Sequence, residues 1–250
     1  MESFRKVTNA EIKQLFDFIQ TENNGVLVEG GARIDGEKFV NFLSQRNQAK
    51  FELRHELAVL TQDGETPLVN GETFDLVVLA VGAWLKETLK TIGIEALTRP
   101  QKGQLIEVEL PSHAKVDSEA PVLMPEGERD FIPTNRGTLL IGATHENDQG
   151  FDLEVSEQII DDLLASGQRV IPNLDKSMVK STRVGTRAYT EDFAPFFGYL
   201  PGYSHIMVAS GLGSSGLTTG PIIGKLLADL VENPELNVSD LTKPLTTYIK

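Results

Sequence analysis

His205-Ile-Met-Val-Ala-Ser210-Gly211-Leu212-Gly213-Ser214-Ser215-Gly216-Leu217-Thr218 reads as a strand, a glycine turn and the start of a helix over Thr219–Val231. Glycines let the backbone approach a ligand, and a helix N-terminus offers unpaired N–H groups and a positive dipole. The spacing of Gly211, Gly213 and Gly216 is GxGxxG, which leaves three readings open. The turn could hold a dinucleotide, it could simply pack helix on sheet, or the helix start could face some other electron-rich group. A dinucleotide fingerprint also needs a following parallel strand with an acidic residue about 20 positions on. Here the helix is predicted to reach about Glu232, and the tail Asn233–Lys250 carries two prolines and no strand pattern.

A second stretch ends in a similar way. Asp75-Leu-Val-Val-Leu-Ala-Val81 is continuously apolar from Leu76, as a strand covered on both faces should be, and it runs into Gly82-Ala83-Trp84 and a helix from Leu85 to about Ile92. Upstream, Thr8-Asn9-Ala10-Glu11 has capping-box spacing ahead of Ile12, Leu15, Phe16 and Ile19. Gly25–Glu29 reads as a strand, and Asp35 caps a helix expected to bury Phe39, Val40 and Leu43. Phe51–Leu60 reads as one or two strands, Asp63-Gly64 as a turn, and Phe74–Val81 as a strand.

The middle of the chain changes character. Gly103–Leu110, Ala120–Met124, Glu128–Pro133 and Thr138–Ala143 read as short strands between turn residues such as Asn135-Arg136-Gly137. A helix from about Ser156 to Val170 follows, with Ile159, Ile160, Leu163 and Leu164 inward, then a strand near Lys180–Tyr189. A parallel, helix-backed portion therefore brackets an antiparallel sheet, an α/β fold with an inserted second domain.

Composition narrows the function classes. The chain has 250 residues and a net charge of −13, with 40% hydrophobic and 24% charged residues. That acidity repels phosphate backbones and anionic lipid, so neither nucleic acid nor membrane is expected as a partner. There are no cysteines, which excludes thiolate nucleophiles and cysteine-based metal sites. A reducing, cytoplasmic location is expected, since the start Met-Glu-Ser-Phe-Arg-Lys lacks a signal-peptide apolar region and the apolar runs are too short to span a bilayer. His55, His113, His145 and His205 are scattered without ligand spacing, so no metal is expected. The absence of GxSxG around Ser214 and Ser215 excludes a nucleophile elbow.

Three segments, in this order, resemble the D-amino acid oxidase and glycine oxidase family. Val77–Trp84 resembles its strand ending in Gly-Ala-Trp. Gly185-Thr-Arg187-Ala-Tyr-Thr190-Glu-Asp192-Phe-Ala-Pro195-Phe-Phe-Gly198 reproduces the spacing G-x-R-x-x-T-x-D-x-x-P-x-x-G. Val208–Thr218 resembles its strand, glycine loop and helix over the flavin. Weaker matches are Lys102-Gly103-Gln104-Leu105 and Gly137–Thr144, and the likeness spans roughly Gly25 to Val231.

The resemblance implies FAD as cofactor and an amino acid or secondary amine as substrate, oxidised at CH–NH by hydride transfer to flavin. It implies a partial FAD-binding domain (Rossmann-like, glutathione-reductase type) over 30–96 and 190–231. A substrate domain would occupy 1–29 and 97–189, leaving 232–250 as a C-terminal tail. Gly82, Ala83, Trp84, Gly211, Leu212, Gly213, Ser214, Ser215, Gly216, Leu217 and Thr218 are implied to contact the flavin, with Val59 and, more loosely, Asp35 near its adenosine half. Arg187 stands where the family binds the substrate carboxylate, a task for which a planar, permanently charged fork is suited. Read without the resemblance, Arg187 is a surface arginine or an ion-pair partner of Glu191 or Asp192. No side-chain acid or base is assigned.

Two departures qualify the carry-over. The family's opening strand, GxGxxG and helix, which hold the pyrophosphate, have no counterpart here, so the resemblance also admits a non-catalytic relative or a subunit completed by another chain. Asp130, in Asp130-Phe-Ile-Pro133, stands where the family often has a tyrosine. Homo-oligomerisation through the face left uncovered is a further expectation.

Overall fold

A computed structural model describes residues 3–47, 49–111, 114, 116–127 and 129–250. His113 and Glu128, both named above, and the first two residues of the expected substrate domain lie outside the described residues. In chain order the first elements are β1 (Ser3–Val7), α1 (Asn9–Leu15), β2 (Gly25–Glu29) and α2 (Gly36–Asn47). A meander of β3 (Leu60–Asp63), β4 (Thr66–Val69) and β5 (Glu72–Thr73) precedes β6 (Val77–Leu79) and α3 (Leu85–Lys90). Then come β7 (Arg99–Val108), β8 (Asp130–Pro133), β9 (Leu139–Gly142), β10 (Glu146–Asn147) and α4 (Glu157–Gln168). The chain closes with β11 (Val179–Tyr189), β12 (Phe196–Tyr199), β13 (Ile206–Ser210) and α5 (Gly216–Glu232).

These elements form two compact units. One comprises Met1–Arg33, Lys102–Glu146 and Asp152–Gly185; the other comprises Ile34–Gln101, Asn147–Phe151 and Thr186–Lys250. The chain thus crosses between them repeatedly, and residues 232–250 fall in the second unit.

The first unit is built on a five-stranded sheet ordered β10-β7-β9-β8, with β11 also paired to β7. Pairs β7–β9 and β8–β9 are antiparallel. Strand alternation sends Ile106, Val108, Phe131, Leu139 and Ile141 to one face, where Ile160, Leu163 and Leu164 of α4 cover them. Thr8 and Glu11 form the expected capping box at α1. The expected strand Ala120–Met124 reduces to a single bridge, Leu123↔Phe131.

Glu107 of β7 is buried, with 5% of its side chain exposed, and binds both Arg136 and Arg183. Burial by itself would raise its pKa. Hydrogen bonds from Thr138, Arg183 and Arg136 outweigh burial and hold it at about 2, against a free value of 4.5. This contribution to stability is therefore full above pH 4.5 and is lost as pH falls toward about 2. Glu107→Gln should cost about 1–3 kcal/mol at neutral pH, the lower part favoured because both arginines are largely solvated. It should also flatten the acid limb of a stability–pH curve between those two pH values. An unchanged acid limb in the variant would show that Glu107 is not the group responsible.

The second unit holds a three-stranded sheet ordered β12-β13-β6. Its central strand β13 pairs antiparallel with β12 and parallel with β6, in register Ile206↔Val77 to Val208↔Leu79. Leu79, Leu85, Leu89, Phe196, Ile206 and Val208 make its core, while Met207, Phe197, Ile223 and Leu227 pack α5 on the other side. The segment expected to be a loose tail closes this core. Tyr248 and Ile249 are buried, the Tyr248 ring stacks on Phe196 at 4.6 Å, and Glu95 and Lys250 exchange two backbone hydrogen bonds of 2.9 Å.

Two expectations fail here for one reason. α2 starts after Asp35, whose carboxylate accepts from the Lys38 amide, but none of its residues is buried. Val40, Phe42 and Leu43 are 56%, 55% and 42% exposed. Residues 51–59 form no strand, and Leu53 and Leu57 are 80% and 83% exposed. Local pattern sets a preference for helix or strand, but pairing and burial need a tertiary partner, and neither segment is paired or buried among the described residues.

Candidate cofactor and substrate site

The parallel register of β6 and β13 brings their C-terminal ends together. The expectation that Gly82 and Gly211 share one sheet edge is met: Ser210 Oγ donates to the Gly82 carbonyl at 3.0 Å. Ligands collect at such strand ends in α/β sheets. Gly82 has φ +57, and a Cβ there would meet nothing within 4 Å. The position thus combines a left-handed backbone with open space beside it. Ala83 is buried, whereas Trp84 is 53% exposed and stacks on Phe151 at 4.9 Å.

Gly211 is constrained in the opposite way. Its φ is +76, and a Cβ would lie 2.9 Å from the Ala194 carbonyl oxygen and 3.0 Å from Thr190 Cγ2. Leu212–Ser215 then turn tightly into α5, where Ser215 Oγ donates back to the Leu212 carbonyl at 2.7 Å. Ser215 therefore does not cap the helix, and α5 has no side-chain cap at its start. A tight turn over Gly213–Ser215 runs directly into this 17-residue helix, so its first residues, Gly216, Leu217 and Thr218, continue the glycine loop. Leu217 lies against Gly36, 3.3 Å from the place of a Cβ there, so the start of α2, next to Asp35, adjoins this turn. Val59 precedes β3, and its amide donates to Asn70 Oδ1 at 2.8 Å.

Arg187 lies near the end of β11. The next residue, Ala188, directs its carbonyl toward Gly213, 3.9 Å from where a Cβ would be. The Arg187 side chain is half-buried, and burial draws its pKa below the ordinary arginine value, although guanidinium remains charged in proteins. The two nearby carboxylates are engaged elsewhere. Glu191 binds Arg99, and Asp192 binds Lys243 and the Tyr248 hydroxyl. Arg99 also lies over the Tyr189 ring, 4.9 Å from its centre.

The turn Thr190–Pro195 is the feature that sequence reading underused. Its spacing marked it as a motif, but not what Asp192 does. Asp192 Oδ1 accepts from Thr190 Oγ1 at 2.9 Å and from the Ala194 amide at 3.2 Å, while Phe193 takes φ +55. The signal that could have found this was the Thr-x-Asp-x-Ala spacing, in which an Asp bonds an amide two residues on.

In the first unit, Asp130 sits opposite Gly142 on β9, and burial raises its pKa. A cleft of about 940 Å³ belongs wholly to the first unit, among Gln20, Asn23, Arg129, Phe131 and Arg169, and no residue assigned to the site lines it. Among the described residues no three His, Asp or Glu side chains converge as a metal site would require. No helix is long and apolar enough to cross a membrane.

The residues present fit a flavin: open space beside Gly82, an uncapped helix start and a glycine loop at one sheet edge. Comparison with known proteins agrees. The profile of the family described as FAD dependent oxidoreductase matches residues 2–230. An uncharacterised oxidoreductase of Bacillus subtilis (strain 168), YurR, is 32% identical over 243 residues, covering 94% of this chain and 65% of that protein. A glycine oxidase of Pseudomonas aeruginosa is 32% identical over 161 residues, covering 64% of this chain and 43% of its own length. Among solved structures, iminodiacetate oxidase from Chelativorans sp. BNC1 superposes with a TM-score of 0.86 at 29% identity, over 96% of this chain and 67% of that one. The chain thus spans less than two thirds of the curated relatives it matches.

Proposed function

The chain belongs to the family of FAD-dependent oxidoreductases, and on that premise we propose that it oxidises the CH–NH group of an amino acid or secondary amine. The observation that carries this reading is the meeting of the Gly82 and Gly211 turns at one sheet edge, with the Arg187 strand beside the glycine loop. A bound FAD would supply the hydride acceptor for oxidation at the substrate Cα. Gly82–Trp84 and Gly211–Thr218 would hold the cofactor through backbone groups. The N–H groups at the start of α5 suit an electron-rich edge on which negative charge develops. Arg187 would grip the substrate carboxylate with its fork and so orient the Cα–H. With the amine entering neutral, its nitrogen gives up a proton to water as the C–N double bond forms, and water hydrolyses the resulting imine. No side-chain base is needed for this sequence.

The test is direct. A purified protein that is yellow, or that becomes so on adding FAD, and that turns over glycine, iminodiacetate or another secondary amino acid supports the reading. A preparation that takes up no FAD and oxidises none of them refutes it for this polypeptide alone.

A second reading, a protein completed by further polypeptide, is favoured by one specific observation. β6 is an edge strand with Val78 44% exposed, and it joins Val40, Phe42, Leu53 and Leu57 as exposed apolar surface of the second unit. Unpaired edges and apolar patches seek partners. Self-association is therefore expected to rise with concentration in light scattering, and Val78→Lys with Phe42→Glu should reverse it. A monomer at all concentrations that binds no hydrophobic dye would exclude it.

A further inference from the structure

The C-terminal segment carries contacts that its distance in sequence from the glycine loop does not suggest. Lys243 Nζ binds Asp192 Oδ2, and the Tyr248 hydroxyl donates to the same oxygen at 3.0 Å. Asp192 in turn shapes the turn against which Gly211 lies. We propose that Tyr248 and Lys243 are positioning residues for the glycine loop, holding the Thr190–Pro195 turn in place through Asp192. This inference rests on the reading of Gly211–Thr218 as the flavin-binding loop.

Each link has a physical reason. The Thr190 hydroxyl bridges Asp192 Oδ1 and the Ala194 carbonyl, both at 2.9 Å, which closes the turn on itself. Phe193 at φ +55 is a left-handed non-glycine residue, a conformation that persists only where neighbours over-determine it. Gly211 is packed so close to the turn that a Cβ there would come within 3.4 Å of three of its atoms, so a shift of the turn moves the loop. Asp192 would not hold the turn firmly alone, because a partly exposed carboxylate can exchange its partners for water. The cation of Lys243 and the hydroxyl of Tyr248 fix its second oxygen.

The tail itself is well anchored. Tyr248 is buried, stacked on Phe196, and its carbonyl accepts from the Leu97 amide at 2.8 Å. Beside the carboxylate, and with burial the larger cause, its phenol is pushed up to about 12. It is therefore a donor throughout the working pH range, while Asp192, held well below the usual carboxylate range chiefly by Lys243, is an acceptor. The link does not switch with pH near neutrality.

Tyr248→Phe keeps the stacked ring and removes only the hydroxyl, and Lys243→Met removes only the cation. Each is expected to quicken amide hydrogen exchange at 190–195 and 211–216 while leaving α3 and the β3–β5 meander unchanged. Each should also weaken FAD binding, read by flavin fluorescence, about 3- to 10-fold, the worth of one ordinary hydrogen bond. Lys243→Arg should restore both readouts. Asp192→Asn should reproduce the local exchange, and adding Tyr248→Phe to it should add little, since the two act through one contact.

Unchanged exchange at 211–216 overturns the proposal, as does acceleration spread evenly over the second unit. Local acceleration with unaltered FAD affinity overturns it too, because the contact would then be structural only. Should the unmodified protein take up no FAD, the functional reading fails, and the exchange pattern still decides whether the tail positions the loop.

Discussion

Replacing Arg187 with alanine is expected to lower kcat/KM for amines bearing a carboxylate about 30- to several-thousand-fold, or about 2–5 kcal/mol, while flavin binding stays nearly intact. The size follows from losing a two-pronged, charge-assisted contact at the half-buried Arg187. The selectivity follows from the proposed division of labour. Backbone groups of Gly82–Trp84 and Gly211–Thr218 would hold the cofactor, whereas Arg187, near the end of β11, would hold only the substrate. Arg187→Lys should recover only part of the loss, since an ammonium keeps the charge without the fork. Amines lacking a carboxylate should be hardly affected, so steady-state kinetics on both substrate types isolates the contact. Equal losses for the two types, or a variant that sheds its flavin, would make Arg187 a structural residue.

Gly211→Ala should be the most damaging single-methyl change in the second unit. The backbone at φ +76 disfavours any side chain, and the new Cβ would sit 2.9 Å from the Ala194 carbonyl oxygen and 3.0 Å from Thr190 Cγ2. Backbone strain of about 1–2 kcal/mol and overlap of about 1–3 kcal/mol together predict a loss of about 2–5 kcal/mol. Gly71→Ala is the matched control, since it has φ +82 with nothing within 4 Å and should show the strain alone. Chemical denaturation of both variants measures the difference. Equal losses in the two would mean that the turn yields to Gly211 and does not confine it. Because the carbonyl belongs to a turn clamped by Asp192, the overlap is expected to persist and to reduce FAD uptake as well.

The elements legible in the sequence are those whose cause is local. The capping box at Thr8 and the inner face of α4 each rest on residues within a few positions of one another. The same holds for the glycine turns after β6 and β13, where a left-handed backbone and an apolar strand end lie side by side. Their pairing was legible too, because two apolar strands each followed by a helix call for a parallel sheet, although Val78 leaves one face of β6 exposed where its continuous apolar run predicted cover on both.

Burial of α2 was not legible. Its apolar residues have helical spacing, but spacing only orients a face and cannot supply the surface that covers it, and no described residue does so. Nor does a run of strand-forming residues at 51–59 make a strand, since a ladder needs a partner edge. The C-terminal tail shows the converse. Nothing in Lys243-Pro-Leu-Thr-Thr-Tyr248 states that its charge and hydroxyl meet Asp192, 51 and 56 residues earlier. Short-range hydrogen bonding and steric preference are written into neighbouring residues, so the sequence alone determined the turns, the caps and the strand ends that form the candidate flavin edge. Which distant groups meet depends on how the chain closes on its core, and that closure, decided only in the tertiary structure, made the tail part of the second unit and gave Asp192 its partners.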